Sequence, residues 1–269
     1  MSDDAKQRTR SGFESTAVYY DVMRFVQVVA TRLLELARLQ PGEAVLDVAT
    51  GTGHVALAAA SAVGERGNVV GLDLSPRMLE QARHKAAALG LSNVEWHEGD
   101  GEMPPFADER FDAVLCASGI FFMPNQLSAL REWSRCLKRG GRVLFTTFGA
   151  GSGDLAEMGR KQLATMGVNV PPLMSSLLLD PAQSRALLVD AGFVDVEVAP
   201  ERHDYWFANA EEWWDNEYSR LAGRDAWASL PAEQIERFKQ ALVADVAQLA
   251  TADGVRRVLA VNFASGRKP

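Results

Sequence analysis

Apolar residues recur at helical spacing from Phe13 to Leu39, with Val26, Val29, Leu33, Leu36 and Leu39 on one stripe, and Pro41-Gly42 ends the run. Short apolar blocks then alternate with amphipathic ones. The pattern predicts strands at Ala44–Val48, Asn68–Leu72, Val94–His97, Phe111–Ser118 and Arg142–Phe148. Helices are expected after the first strand, in a run of small residues, and over Ser75–Leu89 and Gln126–Leu137. Ser75 before Pro76 is a good helix start, since its hydroxyl can cap and the proline fits the first turn. Such alternation builds a parallel sheet with helices on both faces. After Phe148 the rhythm breaks. Residues 149–180 are rich in Gly, Met and Pro and read as a helical insertion with loops. Pro181–Ala191 reads as a helix closed by Gly192, Phe193–Val198 as a strand, and Asn209–Ala252 as mostly helical with breaks near Gly223 and at Pro231. Arg256–Ala264 is the last expected strand, before a short basic tail. The polar residues before Phe13 read as a disordered start.

The expected fold is therefore α/β, a Rossmann-like doubly wound sheet, mostly parallel with one antiparallel strand near the C-terminus. Residues 1–269 form one domain in this reading, with a helical segment over 1–40. The insertions at 149–180 and 207–252 would form a helical cap over an acceptor pocket. Composition narrows the function. A formal net charge of −7 and a pI near 5.2 argue against a phosphate-gathering surface and hence against a nucleic-acid partner. The polar start MSDDAKQRTR lacks the apolar centre of a signal peptide, and no apolar run reaches the ~18 residues of a membrane span. The two cysteines, Cys116 and Cys136, show no C-x-x-C pairing and read as reduced core thiols. These features predict a cytoplasmic protein, no resident metal and a small-molecule partner.

The chemistry is concentrated in VLDVATGTGHVALAAA, Val45 to Ala60. A buried strand ends in an acid, and a glycine loop leads into a helix. Gly51 and Gly53 with Ala56 satisfy the dinucleotide pattern G-x-G-x-x-G/A. Asp73, at the end of the second strand, suits the two hydroxyls of an adenosine ribose, which both a dinucleotide and S-adenosyl-L-methionine contain. Asp47 separates the two. A carboxylate four residues ahead of the loop is unfavourable beside a pyrophosphate, but favourable beside the ammonium and sulfonium of S-adenosyl-L-methionine.

Several segments together resemble the class I S-adenosylmethionine-dependent methyltransferases. VLDVATGTG resembles their acidic glycine loop, and VVGLDLSPRMLEQAR follows it. EGDGEMPPFADERFDAVLCASG resembles their G-D-A-x-x-L-P-F-x-D-x-S-F-D segment, and LKRGGRVL their L-K-P-G-G-x-L element. The resemblance spans Ala44 to Phe148. Within the class it points to the ubiquinone/menaquinone-biosynthesis C-methyltransferase type, whose Y-D-x-M is matched by Tyr20-Asp21-Val22-Met23. The resemblance implies that Asp100 accepts from the adenine amino group, with Gly101 beside it. It further implies that Thr52 and Gly53 face the methionine moiety and that Leu74 and Met78 flank the adenine. Ala117 and Ser118 stand where the family has a strand-end serine. Tyr20 and Tyr19 are placed to close over the methionine end and the acceptor.

The chain departs from the quinone enzymes where they carry an Arg-Asn pair, for here stand Phe121-Phe122. Strand ends point at the ligand in this architecture, so two aromatics imply an apolar acceptor wall. His203 is the candidate general base, because it is expected to follow the penultimate strand among Tyr205, Trp206, Trp213 and Trp214 and because imidazole titrates near neutrality. His54 follows the glycines and reads as held by the cofactor loop. Trp206, Trp213, Trp214 and Trp227 fit either an aromatic cage or the core of a lid. The resulting expectation is methyl transfer to a small, flat, largely apolar acceptor, with N- or O-methylation of a heterocyclic or phenolic secondary metabolite placed first. A quinone-type C-methyltransferase is second, and an NAD-dependent oxidoreductase survives through the shared glycines alone.

Overall fold

The structure is a computed structural model that describes residues 2–149, 154–168, 179–216, 218 and 230–269. Strands β1 (Ala44–Val48), β2 (Asn68–Asp73), β3 (Val94–Glu98), β4 (Phe111–Cys116), β5 (Leu137–Phe148), β6 (Val194–Phe207) and β7 (Val255–Arg267) form one sheet in the order β3-β2-β1-β4-β5-β7-β6. The first five strands pair in parallel, and β7 runs antiparallel to both of its neighbours. Helices are α1 (Ser2–Thr16), α2 (Arg24–Ala37), α3 (His54–Val63), α4 (Pro76–Ala88), α5 (Gln126–Cys136), α6 (Asp154–Thr165), α7 (Pro181–Asp190), α8 (Ala210–Asn216) and α9 (Ala232–Ala247). A 3₁₀ turn, Ala17–Val22, joins α1 to α2.

Alternate side chains of the central strands serve opposite layers. Val45, Val69, Ala113 and Leu144 pack with α2 and α3 on one face, and Leu46, Val70, Val114 and Phe145 pack with α5 and α7 on the other. The expected strands β1 to β4 and the helices between them are found, and Ser75 caps α4 by accepting from the Met78 N–H at 3.3 Å with Pro76 in the first turn. The sheet therefore has the expected doubly wound form with an antiparallel strand near the C-terminus.

Three segments differ from the expectation. Residues before Phe13 are not a disordered start but most of α1, which packs on α4 and on the 3₁₀ turn. The periodic run from Phe13 is split, so that α2 begins only at Arg24. β6 continues nine residues beyond Val198, to Phe207, and β7 absorbs the basic tail up to Arg267. The extension of β6 carries Glu201, Arg202, His203 and Asp204, whose charge hides a strand on a sheet edge, where polar side chains are tolerated on both faces. Residues 217, 219–229 and most of 149–180 outside α6, including Gly223 and Trp227, lie outside the described residues.

Helices α6, α8 and α9 gather at the β6–β7 end of the α2 layer. Trp213 and Trp214 stack on Tyr218 at 5.1 and 5.3 Å, and Trp214 meets Phe238 of α9 edge-on. Both indoles are buried with Leu155, Leu163 and Leu242, so they form the core of this cluster.

The two strands at the middle of the sheet, β1 and β4, end in strained turns. Ala49 and Ser118, each just past or near its strand end, have φ of 55° and 54°, left-handed values that a side chain adopts at a cost of ~1–3 kcal/mol. Gly119 lets them meet: a Cβ there would lie 2.6 Å from Ala49 Cβ and 2.9 Å from Cys116 Sγ. Gly119→Ala is thus expected to destabilise the protein by ~1–3 kcal/mol in urea unfolding. Gly12→Ala in α1, where a Cβ meets nothing within 4 Å, should be neutral or stabilising by up to ~1 kcal/mol. Equal stabilities for both variants would contradict the packing described.

Candidate active site

At the β1/β4 boundary the strand order reverses, and a crevice opens beyond the carboxyl ends of the strands, the usual ligand position in such sheets. The loop after β1 is held open from below. Its Thr50 N–H bonds to the Leu72 carbonyl at 3.0 Å, and its Gly51 N–H donates to Asp73 Oδ2 at 2.8 Å. The other Asp73 oxygen accepts from the Ser75 N–H at 2.8 Å. Gly51 has φ +55° and Gly53 φ +86°, and a Cβ on Gly53 would come within 2.8 Å of Trp96. The loop therefore needs glycine at Gly53 for close approach and at both positions for conformation.

A narrow cleft lies over this loop. It brings together ten of the sequence-predicted residues: Tyr20, Gly51, Asp73, Leu74, Met78, Asp100, Gly101, Ala117, Ser118 and Phe122. A second, smaller cavity shares Tyr20, Ala49, Gly51, Ala117 and Ser118 with it and adds Asp47, Thr50 and His54 beneath an apolar wall of Phe25, Val26, Val29, Ala30 and Val55. Trp133 of α5 is wholly buried and donates Nε1–H to the Gly101 carbonyl at 2.7 Å, which fixes the loop carrying Asp100.

The acids differ in character. Burial pushes the Asp47 carboxyl up to about 7, although Thr50 Oγ1 donates to it at 2.6 Å and the Ala56 N–H also bonds to it. Burial likewise raises Asp73, partly offset by the N–H groups of Ser75, Gly51 and Leu74. Burial and the charges of Asp73 and Asp21 push the Tyr20 hydroxyl up, so it stays a neutral donor. Asp21 goes the other way. Against its burial, hydrogen bonds from His54 and Lys85, at 2.9 and 2.8 Å, and from Thr52 hold it well below the usual carboxylate range.

The remaining predicted residues lie elsewhere. Thr52 is buried behind the loop on Asp21, and Gly53 faces Trp96 and Ala82. Phe121 is a core residue, between Phe122 at 4.8 Å and Phe148 at 5.3 Å. Tyr19 and Trp206 are exposed, and Trp213 and Trp214 belong to the helical cluster; none of the four lines either cavity. His203 does not follow the penultimate strand but sits within β6, opposite Leu259. Its Nε2 is 3.1 Å from Glu201, which Arg32 of α2 grips through Nε and Nη2, and its ring meets Phe263 edge-on. It lines neither cavity.

Sequence reasoning missed the wall made by α1. Lys6, Thr9, Arg10 and Phe13 all line the cleft; their i, i+3, i+4, i+7 spacing puts them on one helix face, but three of the four are polar and no apolar periodicity marks it. It also gave no role to Asp21, which joins the 3₁₀ turn to α3, α4 and the glycine loop.

Comparison with known proteins agrees with this geometry. The chain is 33% identical over 195 residues, 70% of its length, to a ubiquinone/menaquinone biosynthesis C-methyltransferase of Teredinibacter turnerae, of which it covers 77%. It belongs to the S-adenosylmethionine-dependent methyltransferase family. A family model described as a methyltransferase domain matches residues 45–141. An aklanonic acid methyltransferase of Streptomyces sp. strain C5 is 34% identical over 150 residues, 55% of this chain and 68% of that one. Among solved structures, an S-adenosylmethionine-dependent methyltransferase from Aquifex aeolicus matches with a TM-score of 0.51 and 25% identity, covering 63% of this chain and 80% of that one. The residues fit the cofactor: Gly51 in a left-handed conformation, carboxylates at Asp73 and Asp100, and apolar walls at Leu74 and Met78 stand around one cleft.

The raised Asp47 gives a pH signature. Below about 7 the carboxyl is neutral in the free methyltransferase, so binding a cationic ligand has to drive off its proton. S-adenosylmethionine affinity, measured by calorimetry, should therefore rise with pH through about 7 and level off above it. Asp47→Asn should flatten the curve; an unchanged slope would detach Asp47 from cofactor binding.

Proposed function

We propose that this methyltransferase transfers a methyl group to nitrogen or oxygen of a small, flat, largely apolar acceptor. The observation that carries the reading is the apolar wall of Phe25, Val26, Val29, Ala30 and Val55 in the smaller cavity, which faces Asp47, Thr50 and His54 and joins the cofactor cleft at Tyr20, Gly51 and Ser118. In this reading Asp73 accepts from the ribose hydroxyls, Asp100 reads the adenine amino group, and Leu74 and Met78 hold the base faces. Asp47 and the Gly51 turn serve the methionine end.

S-adenosylmethionine supplies a methyl group on a cationic sulfur, an electrophile that needs no acid catalyst. The protein's task is then to exclude water and hold the acceptor atom in line. The aromatic residues Tyr20, Phe122 and Phe25 provide the dry, flat walls for this. A base is needed only where the acceptor must lose a proton on attack. The reading gives that task to no residue of β6, because His203 lies beside Glu201 and lines neither cavity. The relatives support a second reading, methylation at carbon of a quinone, since one of them is a C-methyltransferase by name.

Two measurements test this. Asp73→Ala should weaken S-adenosylhomocysteine binding by roughly 1.5–3 kcal/mol, because ribose hydroxyls lose a charged acceptor; an unchanged affinity in a folded variant removes the assignment. Incubation with isotopically labelled S-adenosylmethionine and a panel of phenols, heterocyclic amines and demethylated quinols should label the first two groups, with the carbon shift of the new methyl reporting O or N attachment. Label on a ring carbon of a quinol alone would establish the second reading instead.

A further inference from the structure

The cleft is walled by the protein's own N-terminal helix, and the contact falls on the carboxylate that the nucleobase needs. Lys6 Nζ lies 2.6 Å from Asp100 Oδ2 and also contacts Glu102. The other oxygen, Asp100 Oδ1, accepts from the Glu102 N–H at 2.9 Å. Both Asp100 oxygens are thus engaged by the chain itself. Further along the same face of α1, Arg10 pairs with Glu98 at 3.0 Å, and Phe13 meets Tyr20 and Phe122 edge-on at 6.1 and 5.1 Å. All five of these contacts of α1 are made by Lys6, Arg10 and Phe13, which line the cleft.

We infer that α1 is a latched lid: Lys6 competes with the cofactor's nucleobase for Asp100, so that Lys6 sets both the affinity for the cofactor and the rate of its entry. This rests on the reading that Asp100 meets the adenine amino group. The physical reason is charge. Glu98, Asp100 and Glu102 follow one another closely at the end of β3 and each pairs with a cation of α1; without α1 only neutral donors, the N–H groups of Glu102 and Asn125, would remain on Asp100 and Glu102. Lys6 and Arg10 supply the positive charge. An adenine amino group is an uncharged donor and a weaker partner for a carboxylate than an ammonium, so the cofactor gains Asp100 only by displacing a stronger ligand. Lys6 need not leave the site, because Glu102 can retain it while Asp100 is released. Phe13 can then keep its place on Tyr20 and Phe122, and the lid rests on the bound cofactor.

The test uses the full chain, with S-adenosylhomocysteine as probe, calorimetry for affinity and rapid mixing for association. Lys6→Met should bind the probe ~3- to 10-fold more tightly than wild type and associate faster, while Lys6→Arg stays close to wild type. S-adenosylhomocysteine has no net charge near neutral pH, so screening has little steering to remove. Raising salt to about 0.5 M should then accelerate association to wild type by weakening the latch, and leave Lys6→Met unaffected. Unchanged melting of the variants keeps the comparison one of binding. Equal or weaker binding by Lys6→Met, in a wild type that binds normally and loses binding on Asp100→Ala, would overturn the latch alone. A wild type that fails to bind the probe, or an Asp100→Ala variant that binds as well as wild type, would overturn the cofactor assignment and the latch with it.

Discussion

Two central strands ending in left-handed turns is the constraint on which the site depends. β1 and β4 are neighbours, yet their chains must leave in opposite directions, one toward α3 and the other toward α5. Ala49 and Ser118 absorb that divergence in their backbones, and the Ser118 N–H is secured by Thr146 Oγ1 at 2.8 Å. The sheet beneath is packed on both faces and cannot relax to relieve them. What is strained at the strand tips is therefore also rigid, and the two cavities share these tips as their common floor.

Around that floor, carboxylates do different work according to what they accept. Asp73 spends hydrogen bonds on the N–H groups of the glycine loop and of the helix start, so a ligand on Asp73 senses both. Asp21, at the edge of the same loop, is ionised and fully paired, and acts as a rivet between elements. Asp47 is buried, with the Thr50 hydroxyl and the Ala56 N–H as partners, and burial raises its pKa to about 7. The same residue type thus serves as clasp and rivet and, in the function proposed, as receptor, and the number and charge of its donors make the difference.

The sheet and the floor of the site were legible in the sequence because both depend on local pattern. Buried parallel strands such as Val69–Leu72 are continuous apolar runs, and the glycine loop carries its conformational requirement in its residue types. What was not legible depended on partners distant in sequence. α1 has few apolar residues, and it is held by Lys6 and Arg10 meeting acids some ninety residues away and by Phe13 packing on Tyr20 and Phe122. The charged second half of β6 is a strand only because β7 pairs with it, from Arg202 opposite Ala260 to Phe207 opposite Val255. His203 was placed wrongly along the chain for that reason. The tryptophans of α8 were ambiguous because an indole suits a cage and a helical core equally, and only the stacking on Tyr218 and Phe238 distinguishes them.

The position of β7 bears on how the chain is made as well as on how it works. It is the last strand in sequence but lies between β5 and β6. During synthesis, β1 to β5 can pair as soon as they emerge, whereas β6 has no neighbour until β7 follows it. A nascent chain would therefore carry an open β5 edge, the kind that invites pairing with other chains. Completion of the sheet, and with it the packing of the helical cluster on Leu259 and Val261, waits for the synthesis of β7.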